Sequence, residues 1–337
     1  MEYLTRKKYI VNITVYLLSS LVIFILCLKF GAENISFIEI FKSFYGGLTG
    51  LKARLFYYQR LPRVIIGFIA GGTFALTGLC YQSVFKNTLA TPFTTGITSG
   101  GTLGAVIALS FTGINFNFIF ISGVQVFSLL GSFLVLLVIL SLNRKKHVGF
   151  SNSLLLTGIS MGILISAFVL LIRYLISPNI LAVVDRWVMG GLNINGFSQI
   201  APIFPLLIPG LILLFWQAPK LNYLVSGDEM AGSRGIDTAL LTRIVLIGGT
   251  MATSSIVSIT GPIAFVGLII PHIIKNISGH DMRTNSVSVF FVGGVFLALC
   301  DSISRVIISP AELPVGIITA FTGGAYFIYL INIRKKL

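Results

Sequence analysis

Residues 60–82 read RLPRVIIGFIAGGTFALTGLCYQ. Arg60 and Arg63 bracket Leu61 and Pro62, and an apolar run follows for about the 20 residues that a helix needs to cross a bilayer. Gly67 and Gly71 stand four apart in GFIAG, a spacing that lets a second helix backbone approach closely. The stretch predicts a transmembrane helix with two cations at its mouth.

The rest of the chain has the same character. Of 337 residues, 55% are hydrophobic and 10% charged, and the mean hydropathy is +0.96. A soluble domain carries about 25% charged residues, so this composition cannot dress a water-facing surface. Only helices and closed barrels satisfy every backbone group in hydrocarbon. A barrel would show alternating segments of about ten residues, whereas the apolar stretches here run to about twenty. The expectation is an all-α polytopic membrane protein, one transmembrane domain over 1–337. Ten spans are expected, at 11–28, 62–82, 93–110, 116–140, 153–176, 200–218, 239–258, 263–277, 286–308 and 314–332. The third, seventh and eighth contain GITSGGTLGAV, GGTMATSSIVSIT and a Gly-Pro, which favours burial among other helices over contact with lipid.

A net charge of +14 raises the possibility of nucleic acid, but the basic residues are scattered between apolar runs with no basic patch, so no nucleic-acid partner is expected. Cys27, Cys80 and Cys300 lie in apolar stretches without metal-type spacing and are read as packing residues. MEYLTRKK followed by VNITVYLLSSLVIFILCL is too long and lacks the cleavage site of a signal peptide, so it predicts a retained first span.

Placing the N-terminus in the cytoplasm and alternating through ten spans puts 15 of the 24 basic residues inside and 9 outside, with RKKH (144–147) and the terminal RKK inside. Both termini are then cytoplasmic, and RLPR faces outward against the charge bias. Arginines in that place either anchor to lipid headgroups or receive a carboxylate from a partner. Within the spans charge is scarce. Asp301 and Arg305 lie one helical turn apart and can pair. Arg173, Asp185 and Arg186 fall near the outer boundary between the fifth and sixth spans. With no Asp, Glu or His in the middle of any strong span, a proton relay is hard to build.

The longest polar stretch on the inside is PKLNYLVSGDEMAGSRGID, 219–237, which predicts short helices rather than a span. Its glycines lack the Gly-Lys-Ser/Thr of a phosphate-binding loop. It is either a plain connection or a dock for a cytoplasmic partner.

Taken in order, RLPRVIIGFIAGGTFALTGLCYQ, FKNTLATPFTTGITSGGTLGA, LLLTGISMG, WVMGGLN, LNYLVSGDEMAGSRGI, GPIAFVGLIIPHI and AELPVGIITAFTGGAYFIYL resemble the permease subunit of type II ABC importers, which take up ferric siderophores, haem and cobalamin. The resemblance runs from about Arg60 to Tyr329. It implies ten helices per subunit and a second permease copy, as a homodimer or with a close relative. It also implies two ATP-binding subunits below, a substrate-binding protein above, and a place in a bacterial cell membrane. On that pattern Arg60, Arg63 and Arg305 dock the binding protein. Asn222, Leu224, Gly227, Asp228, Glu229, Ala231 and Gly235, in a coupling segment at about 219–238, meet the ATPases. Leu89, Ser151 and Asn152 form a cytoplasmic gate. Arg234 stands where the family usually has an apolar residue, and Thr88 where it usually has proline; His272 is read as structural. The resemblance implies a subunit without catalytic residues, metal or cofactor of its own, ATP and Mg being held by the partner ATPases. A ferric siderophore is the expected cargo, with haem, cobalamin and molybdate as alternatives. A secondary transporter driven by protons or sodium would want intramembrane carboxylates or broken helices, and a membrane enzyme a cluster of His, Asp or Glu; the sequence favours neither.

Overall fold

The computed structural model describes residues 6–30, 36–44, 50–111, 117–118, 121–143, 150–308 and 311–334. The chain enters through α1 (Arg6–Lys29) and two short helices, α2 (Phe37–Phe44) and α3 (Gly50–Leu55). A π turn, Phe56–Arg60, runs directly into α4 (Leu61–Val84), with Pro62 in the first turn, where its missing N–H costs nothing. Then come α5 (Ile97–Ser110), a two-residue antiparallel pair (Asn117–Phe118 with Ile121–Ser122), α6 (Gly123–Leu142), α7 (Phe150–Leu175) and α8 (Pro178–Val188). The chain closes with α9 (Phe204–Val225), α10 (Asp228–Ser233), α11 (Thr238–Thr260), α12 (Val266–Ser278), α13 (Met282–Ser304) and α14 (Val315–Arg334).

Seven helices are long and apolar enough to cross a membrane, and α5, α12 and most of α14 are shorter apolar helices. These ten coincide with the ten expected spans. The three weak ones divide as burial requires: α5 and α12 are short, while 72% of the apolar window of α11 is buried, against 11% for α1. Helix α4 is the central element, with 83% of its window buried.

The spacing of small residues explains why α4 sits there. A Cβ on Gly71 would collide with the carbonyl of Gly293 in α13, and one on Gly72 would lie 2.7 Å from the carbonyl of Phe290. On the next face, a Cβ on Gly78 would strike the carbonyl of Gly267 in α12. Two backbones in direct contact gain packing that no larger side chain allows. Helices α4 and α13 therefore form one block, and α1 lies against it. The three cysteines are buried and free.

Candidate functional site

Three groups of polar residues stand out, one at each end of the α4–α13 block and one beside it. At the RLPR end the centre is Asp301, only 1% exposed, one turn before the end of α13. Arg63 Nε donates to both its carboxylate oxygens, at 2.9 and 3.2 Å, and Arg63 Nη1 reaches Glu312 Oε2 at 2.6 Å. Arg305 Nε lies 3.2 Å from Asp301 Oδ2, the expected i,i+4 pair, and its Nη2 donates to Ser302 Oγ at 3.1 Å. Arg60 Nη1 donates to the carbonyls of Leu28 and Lys29, at 3.3 and 3.2 Å. It thus satisfies the last turn of α1, where a cation also suits the helix dipole.

This geometry changes the picture of three open arginines. Arg60, Arg63 and Arg305 are 7%, 9% and 5% exposed and turn inward. Among the described residues, two arginines and two carboxylates balance in one cluster, and Arg60 serves the backbone. Sequence reasoning found the 301–305 pair from its spacing. It missed Glu312 and the pairing of Arg63 with Asp301, which are 238 residues apart.

At the other end of the block lies the coupling segment, and its seven expected residues split by exposure. Asn222, Leu224 and Ala231 are 4%, 2% and 0% exposed and face inward. Asn222 Nδ2 donates to Asp281 Oδ1 at 3.0 Å, and its Oδ1 accepts from the backbone N–H of Met282 at 2.7 Å. The end of α9 is thereby pinned to the start of α13. Asp281 caps α13 through the backbone N–H of Arg283 and also pairs with the Arg283 guanidinium at 3.0 Å. Burial pushes the Asp281 carboxyl up, but the hydrogen bonds from Arg283 and Asn222 outweigh it and hold it below the usual carboxylate range.

Gly227 and Gly235 have φ of +132° and +73°, with nothing within 4 Å of an added Cβ, so conformation and not space requires glycine there. Between them α10 presents Asp228, Glu229 and Met230 outward. Arg234, the departure from the family pattern, rests over the Tyr223 ring at 5.6 Å.

Leu89 lies on the loop between α4 and α5 and is 53% exposed. Asn87 shapes that loop without a proline at the next position: its Oδ1 accepts from Leu89 N at 2.8 Å and its carbonyl from Ala90 N at 3.1 Å. Lys86, at φ +50°, reaches from the same loop to Asp228 Oδ2 at 2.9 Å, an ion pair that sequence reasoning missed. Ser151 and Asn152 are in the first turn of α7, and their side chains lie outside the described residues. His272 is bonded through Nδ1 to Tyr326 Oη at 2.9 Å and ties α12 to α14. The third group, beside the block, is Arg173 of α7 against Asp185 of α8, 2.8 Å apart. Among the described residues, no group of three or more His, Cys, Asp or Glu side chains is placed to hold a metal.

The model of the FecCD transport family matches residues 18–332. The chain is 29% identical over 330 residues to the iron(3+)-hydroxamate import system permease FhuG of Bacillus subtilis, covering 97% of this chain and 98% of that one. It is 30% identical to the hemin transport system permease HmuU of Yersinia pestis, over 95% and 96% of the two chains. Among solved structures it is similar to an inward-facing ABC transporter assigned to the metal-chelate type, with a TM-score of 0.84, 25% identity, and 95% and 98% of the chains covered.

Proposed function

The chain belongs to the FecCD transport family, and from that premise we propose that it is the membrane permease of an ATP-driven importer whose cargo is a ferric siderophore. It is a multi-pass membrane protein, and its family transports rather than catalyses. The observation that carries the proposal is the coupling segment: a short helix between two positive-φ glycines, with acidic and apolar side chains facing away from the bundle. Two ATP-binding subunits would seat on Asp228, Glu229 and Met230, while Asn222 passes their movement to α13. That end and both termini are then cytoplasmic, and the RLPR end faces outward. A carboxylate of a substrate-binding protein would reach Arg63 by displacing Glu312, whose side chain is 42% exposed, and would leave Asp301 in place. Leu89, Ser151 and Asn152 would form the gate on the cytoplasmic side of the path. A second copy of the chain completes the path.

FhuG supports ferric hydroxamate as cargo, and HmuU makes haem the second reading. The test is reconstitution of this chain in proteoliposomes with an ATP-binding subunit and a substrate-binding protein of the same family system from its own organism. ATP-dependent uptake of a ferric hydroxamate that stops when the binding protein is omitted is the expected result. Uptake that ignores ATP and follows a proton gradient contradicts the mechanism, and ATP-driven uptake of haemin alone transfers the cargo to the second reading.

A further inference from the structure

Two cavities open beside the RLPR end. The more polar one, of about 640 Å³, has Arg63, Asp185, Arg186, Asn193 and Glu312 among apolar lining residues such as Leu192 and Leu313. The other, of about 410 Å³, is mostly apolar, with Thr102 and Ser166 among Ile165, Val169 and Pro262. Met189 lines both. Arg173 lines the apolar cavity and Asp185 the polar one, so their ion pair stands in the neck between them.

That pair differs from the Arg63–Asp301 pair. Arg63 gives Nε to both oxygens of Asp301, a fully used contact. Arg173 approaches Asp185 through Nη2 at 2.8 Å, yet the contact lacks hydrogen-bond alignment. Arg173 Nε is buried and has no hydrogen-bond partner, and neither has Asp185 Oδ1. A buried donor left unpaired forgoes its hydration without a compensating bond. A guanidinium offers its donors as a planar fork that fits a carboxylate or a similar pair of anionic oxygens. Here one tine is idle. The neck also has cation to spare: Arg63 is held by Asp301 and Glu312, while Arg186 is exposed and makes no ion pair among the described residues.

We propose that Arg173 is an anion-binding point in the neck between the two cavities, where the negatively charged oxygens of an anionic metal chelate displace Asp185 and take the free Nε together with Nη2. The apolar cavity, with the hydroxyls of Ser99, Thr102 and Ser166, then receives the organic shell of the chelate. Asp185 is the competitor that holds Arg173 while no anionic chelate is bound, and Arg186 draws anions into the polar cavity. The inference rests on the metal-chelate reading and adds to it a charge preference and the residues that set it.

The test uses the full-length permease in lipid nanodiscs without partner proteins, so that no carboxylate of a binding protein can compete. Equilibrium dialysis with radiolabelled ferric citrate measures binding, with iron-free citrate as a second arm. Asp185→Asn is expected to tighten ferric citrate binding by about tenfold, and Arg173→Gln to weaken it by about tenfold or more. Arg173→Lys should retain part of it, which separates loss of the site from loss of the fold. Binding that is indifferent to Arg173→Gln, weakened by Asp185→Asn, or absent from both wild type and Asp185→Asn overturns the proposal. Binding of citrate as tight as that of ferric citrate overturns it as a chelate site, since the apolar cavity then adds nothing. Because ATP-driven uptake of a neutral ferric hydroxamate by the assembled transporter does not depend on an anion site, that assay reports separately on the permease reading.

Discussion

The two ends of the α4–α13 block solve opposite problems with the same residue types. At the RLPR end, Arg63 and Arg305 are buried and spent on Asp301; at the coupling end, Asp228 and Glu229 face outward on a short helix that follows the buried amide of Asn222. A buried ion cluster adds little net stability over apolar packing, but losing one member strands the others. An exposed pair such as Lys86–Asp228 adds about 0–1 kcal/mol. The first arrangement fixes geometry and the second leaves surface free for a partner. Charge on this protein has to be read with its burial.

Asp301→Ala should show the largest effect. It leaves Arg63 and Arg305 buried without their shared carboxylate, and a loss of about 3–5 kcal/mol is expected. Thermal unfolding in detergent measures it, and a melting temperature equal to wild type would show that the cluster is wetter than its geometry indicates. Ala231→Phe comes next, at about 1–3 kcal/mol, because a fully buried methyl has no room to grow; loss of the ATPase from the purified complex should accompany it. Asn222→Ala should cost a similar amount by leaving Asp281 and the Met282 N–H short of a partner. Its signature is functional: ATP hydrolysis persists while uptake falls. The smallest effect is expected for Lys86→Ala, under about 1 kcal/mol, and a larger one would make the loop–coupling contact structural.

Acid separates the two ends further. Asp281 is held below its unfolded value, so its contribution is present above the ordinary carboxylate range and fades as pH falls through its lower folded value. The Asn222→Ala penalty should therefore be full at neutral pH and shrink in strong acid. A penalty that stays constant would mean that Asp281 does not carry it.

The ten spans were legible because lipid demands length and hydropathy, and both are local properties of the chain. The short helices α2, α3 and α8 were not, since six to eleven residues fall well below the length that a bilayer demands and so carry no span signal. GFIAG announced a close approach but could not name Gly293 as its partner, because the contact joins residues more than 200 positions apart. The same distance hid the Arg63–Asp301 bond. Arg60 was harder still: its acceptors are carbonyls at the end of α1, and backbone groups leave no mark on composition. In the coupling segment the motif located the right stretch, but only the fold shows that Asn222, Leu224 and Ala231 hold it while Asp228 and Glu229 face out.

The most direct measurement changes that outward face and nothing beneath it. Glu229→Arg with Met230→Glu, in the reconstituted transporter, should abolish ATP-driven uptake and release the ATPase while the permease keeps its melting temperature. Uptake at the wild-type rate from that double variant would contradict the assignment of α10 as the surface through which ATP drives this protein.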